Sequence, residues 1–134
     1  MPPLPPDLPP PVLEVFYSPT CTPCRLELPA VAELASEESA AVRIIILDQE
    51  QRARADLRAV SPRLEAIATG PSAAAPGDAL RAAGNANGIL PYARTVTADG
   101  EVCAKWSGGL TISRAKSLLA ACARLATSPR RRPS

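Results

Sequence analysis

Phe16-Tyr17-Ser18-Pro19-Thr20-Cys21-Thr22-Pro23-Cys24-Arg25-Leu26-Glu27-Leu28-Pro29 is the stretch on which the reading of this chain turns. It begins inside Val12-Leu13-Glu14-Val15-Phe16-Tyr17, an apolar run that reads as a short buried strand. Ser18-Pro19-Thr20 breaks the strand, and Cys21 opens a helix expected to run to about Ala35. Thr20 is the expected N-cap. Leu26, Leu28, Val31 and Leu34 are expected to share the apolar side, and Pro29, inside the helix, to kink it. Two cysteines three positions apart at a helix start can close a small disulfide ring. The first turn presents unpaired N–H groups and the positive end of the helix dipole, and both favour a thiolate at Cys21. The thiolate is the reactive form of cysteine. Cys24, one turn in and more shielded, is then the thiol that resolves a mixed disulfide.

Outward from this centre, Val42-Arg43-Ile44-Ile45-Ile46-Leu47 reads as a central parallel strand, β-branched and almost continuously apolar. With the first strand and its helix it makes a βαβ unit with a right-handed crossover. Gln49 to about Ala68 reads as helix, with Leu57, Val60, Leu64 and Ile67 as its stripe and a break at Ser61-Pro62. A loop rich in Ala, Pro and Gly follows from Gly70 to Gly77, then a short helix over Ala79 to Ala83. Ala93-Arg94-Thr95-Val96-Thr97 and Glu101-Val102-Cys103-Ala104-Lys105-Trp106 flank Ala98-Asp99-Gly100, a hairpin signal. Ser113 is expected to cap a last amphipathic helix carrying Ala115, Leu118, Leu119, Cys122 and Leu125. The order β-α-β-α-loop-β-β-α describes an α/β domain with a mixed sheet, its last two strands antiparallel.

At 134 residues the chain suits one domain. We divide it into a proline-rich arm (residues 1–11), the folded domain (12–126) and a flexible basic tail (127–134). The arm holds seven prolines and should be extended. Its start lacks the basic and apolar regions of a signal peptide, so the protein stays where it is made or a leader is missing from this chain. No stretch approaches the ~20 apolar residues of a membrane span. A net charge of +2 is too weak to imply nucleic acid or a membrane surface. Aromatic residues, at 3%, are too few for a base-stacking platform. The absence of histidine removes His-based acid–base and nucleophile chemistry and any metal site that needs imidazole.

A lone C-x-x-C also occurs in zinc sites, but those need two further ligands. Here the remaining cysteines, Cys103 and Cys122, are far apart. Thiol copper sites suit Cu(I), yet the chain has a single Met and no His. No metal and no cofactor is expected. Cys103 and Cys122 read either as two buried thiols packing as small apolar residues or as a second disulfide. Trp106 reads as core or rim packing.

The quoted stretch resembles the active-site segment of TlpA-like thioredoxins: a strand, an aromatic, C-x-P-C, a basic residue, and a helix proline five after the second Cys. Gly88-Ile89-Leu90-Pro91-Tyr92, followed by Thr97-Ala98-Asp99-Gly100-Glu101-Val102, resembles that family's second landmark. The resemblance covers roughly Val12 to Ala126. It implies a thioredoxin fold, a mixed central sheet flanked by helices, with a TlpA-like helical insertion between Asp48 and Pro91. It further implies a cis peptide bond at Pro91, and substrate contacts from Thr22, Pro23, Leu90 and Pro91. Two departures matter. The buried Asp of ordinary thioredoxin, six residues before the first Cys, is Val15 here, and its Lys partner is Ile44. The Trp common before the first Cys is Thr20. In TlpA-like proteins an acid often stands three after the second Cys, and Glu27 matches it. The resemblance makes Glu27 the proton acceptor for Cys24, the alternative being a solvated helix Glu.

The function implied is reduction of protein disulfides by dithiol exchange, with Cys21 attacking and Cys24 resolving. It involves protein substrates, a redox partner protein and a monomeric chain. The alternative is a binding module that holds an extended, thiol-bearing segment at Leu90 and Pro91 with little turnover. The resemblance places the protein in the periplasm or cell envelope if an export signal is missing from this chain, and in the cytoplasm otherwise.

Overall fold

The computed structural model describes residues 10–37 and 40–126. Residues 1–9 of the proline-rich arm and the basic tail lie outside these residues. The centre of the fold is β1 (Val12–Tyr17), which pairs parallel with β2 (Ala41–Ile46) and antiparallel with β4 (Tyr92–Val96). A two-residue strand, β3 (Ala68–Thr69), extends the sheet beyond β2, and β5 (Val102–Ser107) extends it beyond β4. The order is therefore β3-β2-β1-β4-β5.

A strand covered on both faces is apolar throughout, and β1 is buried from Leu13 onward. Leu13, Val15 and Tyr17 face one layer: α1 (Thr22–Ala35), α2 (Glu50–Val60), α3 (Pro62–Ala66) and α5 (Ile112–Ala126). Phe16 faces the other way and packs with Leu47, Leu80, Ala83 and Tyr92. Helix α4 spans Pro76–Ala82, beginning three residues earlier than Ala79. Glu14 is also buried, which a carboxylate tolerates only with partners. Strand register supplies them: Arg43 of β2 and Arg94 of β4 flank Glu14 and donate to its two oxygens at 2.9 and 2.7 Å.

Four sequence expectations are corrected. Leu26 is 76% exposed, not on the apolar side of α1. The buried positions are Cys24, Glu27, Leu28, Val31, Leu34 and Ala35, a 3-4 spacing that Leu26 does not fit. Val60 is 41% exposed: the buried side of α2 is Ala53 and Leu57, four residues apart, and Val60 is the last residue before Ser61 turns extended ahead of Pro62. Ala68, read as the helix end, is instead paired in β3 with Ile44. Ser113 lies within α5, and the cap is Thr111, whose hydroxyl accepts the Arg114 N–H at 3.1 Å.

Candidate active site

Parallel pairing sets Tyr17 opposite Ile46, so the chain leaves β1 and β2 at the same edge of the sheet. Functional groups in open α/β sheets gather at the carboxyl ends of parallel strands. At this edge the Ser18 carbonyl accepts the Cys21 N–H at 3.1 Å, closing the turn that starts α1. The cap of α1 is Cys21 and not Thr20: its sulfur accepts the Cys24 N–H at 3.2 Å. Thr22 and Pro23 follow, both exposed, and proline costs nothing in the first turn, where its N–H would lack a helical partner. Cys21 and Cys24 are joined in a disulfide with Cα atoms 5.2 Å apart. Their environments differ. Cys21 is half-buried and opens on a cavity, whereas Cys24 is fully buried against the core.

The cavity has a volume of about 490 Å³. Thr20, Cys21, Thr22 and Pro23 form one wall and Leu90 another. The Leu90–Pro91 bond is cis. Loop residues before it are held by Asn85, buried, whose side-chain N–H donates to the Ile89 carbonyl at 2.6 Å. Glycine suits position 88 of that loop because its φ is +65°, a left-handed backbone that residues with a Cβ rarely adopt. Chain segments about seventy residues apart thus meet at Cys21.

Glu27 is not a solvated helix residue. It is 7% exposed, one turn beyond Cys24 on the buried stripe of α1. Its Oε2 accepts the Leu110 N–H at 2.7 Å. Burial pushes its pKa up from 4.5 to about 7, and the Leu110 N–H offsets part of that rise. Val15 and Ile44 are both in the core and in register with each other, so neither strand position offers a charge beneath the cysteines.

Sequence reasoning missed Ser18 and Asp48. Ser18 is buried, and its hydroxyl donates to Asp48 Oδ1 at 2.7 Å, lies 2.9 Å from the Thr20 hydroxyl, and accepts the Thr20 N–H at 3.3 Å. Asp48 lines the same cavity as Cys21. The available signal was positional: Asp48 follows the clearest parallel strand, so it emerges beside whatever follows β1.

Cys103 and Cys122 are bonded to each other, with Cα atoms 5.0 Å apart, and are not free thiols. Strand alternation alone would turn Cys103 away from α5, since its neighbour Ala104 packs on the α5 side. The ladder slips here: Thr95 pairs with Ala104 but Val96 with Val102, leaving Cys103 as the extra residue of a bulge. Bulges re-aim side chains, and this one accommodates the bond to Cys122. Trp106 packs at the rim, its Nε1 donating to the Gly109 carbonyl at 3.0 Å and the Arg114 guanidinium 4.0 Å from its ring.

No protein-family model matches the chain, and no curated protein matches it in sequence. Solved structures do match. A thioredoxin-related protein from Neisseria meningitidis serogroup B superposes with a TM-score of 0.69 at 18% identity, over 85% of this chain and 86% of that one. StoA from Bacillus subtilis gives 0.59 at 18% identity, over 87% and 85%. A secreted Mycobacterium tuberculosis disulfide oxidoreductase homologous to E. coli DsbE gives 0.56 at 17% identity, over 85% and 81%. The likeness establishes the fold, with the mixed five-stranded sheet between helical layers expected of it.

Proposed function

We propose that this thioredoxin-fold chain is a thiol–disulfide oxidoreductase of the TlpA-like kind that reduces protein disulfides. The observation that carries the reading is the asymmetry of the pair: Cys21 faces a cavity at the N-terminus of α1, and Cys24 is wholly buried behind it. In the reduced protein the Cys21 thiolate attacks a substrate disulfide. One substrate S–S bond breaks, a Cys21–substrate bond forms, and one substrate thiolate leaves. Cys24 then loses its proton to Glu27 and attacks Cys21. The Cys21–Cys24 bond forms, and the second substrate sulfur leaves with the remaining electron pair. Two electrons have moved to the substrate, and a dithiol partner protein must return them.

The capped first turn supports the nucleophile, since the Cys24 N–H and helix dipole that meet the Cys21 sulfur favour negative charge there. A buried Glu27 whose pKa lies at about 7 is suited to exchange a proton near neutrality. Among the described residues the Leu90 backbone makes no hydrogen bond, which leaves it free to pair with an extended substrate strand beside Thr22, Pro23 and Pro91. One chain carries every group the reaction needs, so we read it as acting as a monomer. Two disulfides and the secreted character of the M. tuberculosis relative favour an oxidising compartment such as the cell envelope. No helix of the described residues is long and apolar enough to cross a membrane.

The test is insulin reduction with dithiothreitol as electron donor. The wild-type protein accelerates it and Cys21→Ser does not; turnover retained in Cys21→Ser overturns the mechanism. A Cys21 thiol that alkylates with a pKa near the free value of ~8.5 would favour the binding-module alternative instead.

A further inference from the structure

We propose that Asp48 makes the cleft selective for substrate cysteines that carry a cationic side chain, lysine or arginine, next to them in sequence. The proposal rests on the oxidoreductase reading and names the substrates it favours.

Asp48 and Cys21 share one cavity, and Asp48 is the single charged residue lining it among the described residues. Its Oδ1 is fixed by the Ser18 hydroxyl at 2.7 Å, and Ser18 is itself buried. Asp48 makes no ion pair among the described residues. Arg81, beside Gly77 and Gly88 of the cavity lining, is already paired with Asp78 at 2.9 Å, and the Arg52 guanidinium donates to the Gln49 side-chain oxygen at 3.5 Å. The carboxylate has no local structural duty at the helix start either. Aspartate is among the best helix caps, yet α2 has no side-chain cap, and Asp48 is turned to Ser18 instead. The next residue, Gln49, holds a left-handed backbone with φ 48°, a conformation that non-glycine residues rarely adopt and that concentrates at functional sites.

An uncompensated carboxylate beside Cys21 opposes the thiolate and the negative charge spread over the sulfurs during exchange. A substrate cation docking against Asp48 removes that opposition when the disulfide is in place. Peptides with a neighbouring Lys should therefore react faster than neutral ones, and acidic ones slower.

The experiment uses the pre-reduced full-length protein in single turnover against three symmetric peptide disulfides that differ only in Lys, Gln or Glu beside the cysteine. Released thiol is measured after acid quench. Each rate is divided by that peptide's rate with dithiothreitol, which cancels its intrinsic reactivity. We expect about a fivefold advantage of Lys over Gln at low salt, the scale of a partly exposed ion pair. It should fall towards unity near 1 M salt, where the screening length is ~3 Å. Asp48→Asn should abolish it. Asp99→Asn, the same charge change at the exposed β4–β5 turn, should leave it intact. Equal normalised rates for the three peptides, or a Lys advantage that survives in Asp48→Asn, overturn this proposal alone. No reaction with any peptide overturns the oxidoreductase reading and this proposal with it. The salt series needs only the wild-type protein, so it decides the question even if Asp48→Asn does not fold: a Lys advantage that persists near 1 M salt overturns the assignment.

Discussion

Glu27 shows how one side chain links folding to chemistry. The folded protein holds its proton up to about pH 7, whereas an ordinary glutamate releases it near 4.5. Between these values the folded state binds more protons than the unfolded chain, so stability falls as pH rises. The contribution is fully present below pH 4.5 and lost above about 7. Denaturant titrations across this range should show the decline in wild type and a flatter profile in Glu27→Gln, whose amide oxygen can still accept the Leu110 N–H. Catalysis should carry the opposite sign. Turnover should rise through about pH 7 as Glu27 becomes able to take the Cys24 proton, and Glu27→Gln should lose that limb. A Glu27→Gln profile identical to wild type in insulin reduction would remove Glu27 from the mechanism. At the cysteines, Cys24→Ser should accumulate a Cys21–substrate mixed disulfide, visible by mass under non-reducing conditions. Glu27 was legible as a candidate because it stands three residues after Cys24. Its burial was not legible, because a charged residue between Leu26 and Leu28 argues for the solvent face.

At the scale of elements, α1 and the α2–α3 pair were visible in the sequence as helices, yet each stripe was read partly out of phase. The buried stripe of α1 holds Glu27 and not Leu26, and that of α2 is Ala53 and Leu57 without Val60. The structure turns this into a contrast. Leu57 is fully buried in the core beside Leu64, and Leu57→Ala should cost about 3 kcal/mol of unfolding free energy, the range for a buried leucine that leaves a cavity. Val60→Ala, on the same helix but 41% exposed, should cost less than about 0.5 kcal/mol. Urea unfolding of both variants checks the pair, and comparable losses would place Val60 in the core after all. Strand β3 was missed for a related reason. Two residues are too short a run for alternation to register, and only pairing with Ile44 and Ile45 defines them as strand.

For the molecule as a whole, the two disulfides divide the work. Cys103–Cys122 ties β5 to α5 across a separation of 19 residues. Closing a loop of that size restricts the unfolded chain and contributes about 3 kcal/mol. The double variant Cys103→Ala/Cys122→Ala should lose about that much stability and still reduce insulin. The two bonds should also differ in reactivity. Cys21 and Cys103 each line a cavity and each has a buried partner, but the Cys21 sulfur sits at the N-terminus of α1, where the Cys24 N–H meets it at 3.2 Å and favours the thiolate that reduction creates. Mass mapping after graded dithiothreitol treatment should find Cys21–Cys24 reduced first. Reduction in the opposite order would contradict the assignment of the reactive pair.

What the sequence determined by itself was local and periodic: the strand–C-x-x-C–helix unit, the apolar β2 and the Asp99-Gly100 hairpin. These follow from propensity, turn chemistry and spacing within a few residues, which a linear chain displays directly. Tertiary structure decided whatever depends on two distant segments meeting. The parallel register of β1 and β2 brought Asp48 to Ser18, packing of the loop before α5 supplied the Leu110 N–H that holds Glu27, and a bulge turned Cys103 to Cys122. In each case a side chain's environment, and so its chemistry, is set by neighbours remote in the chain, whose approach depends on the packing of the entire core.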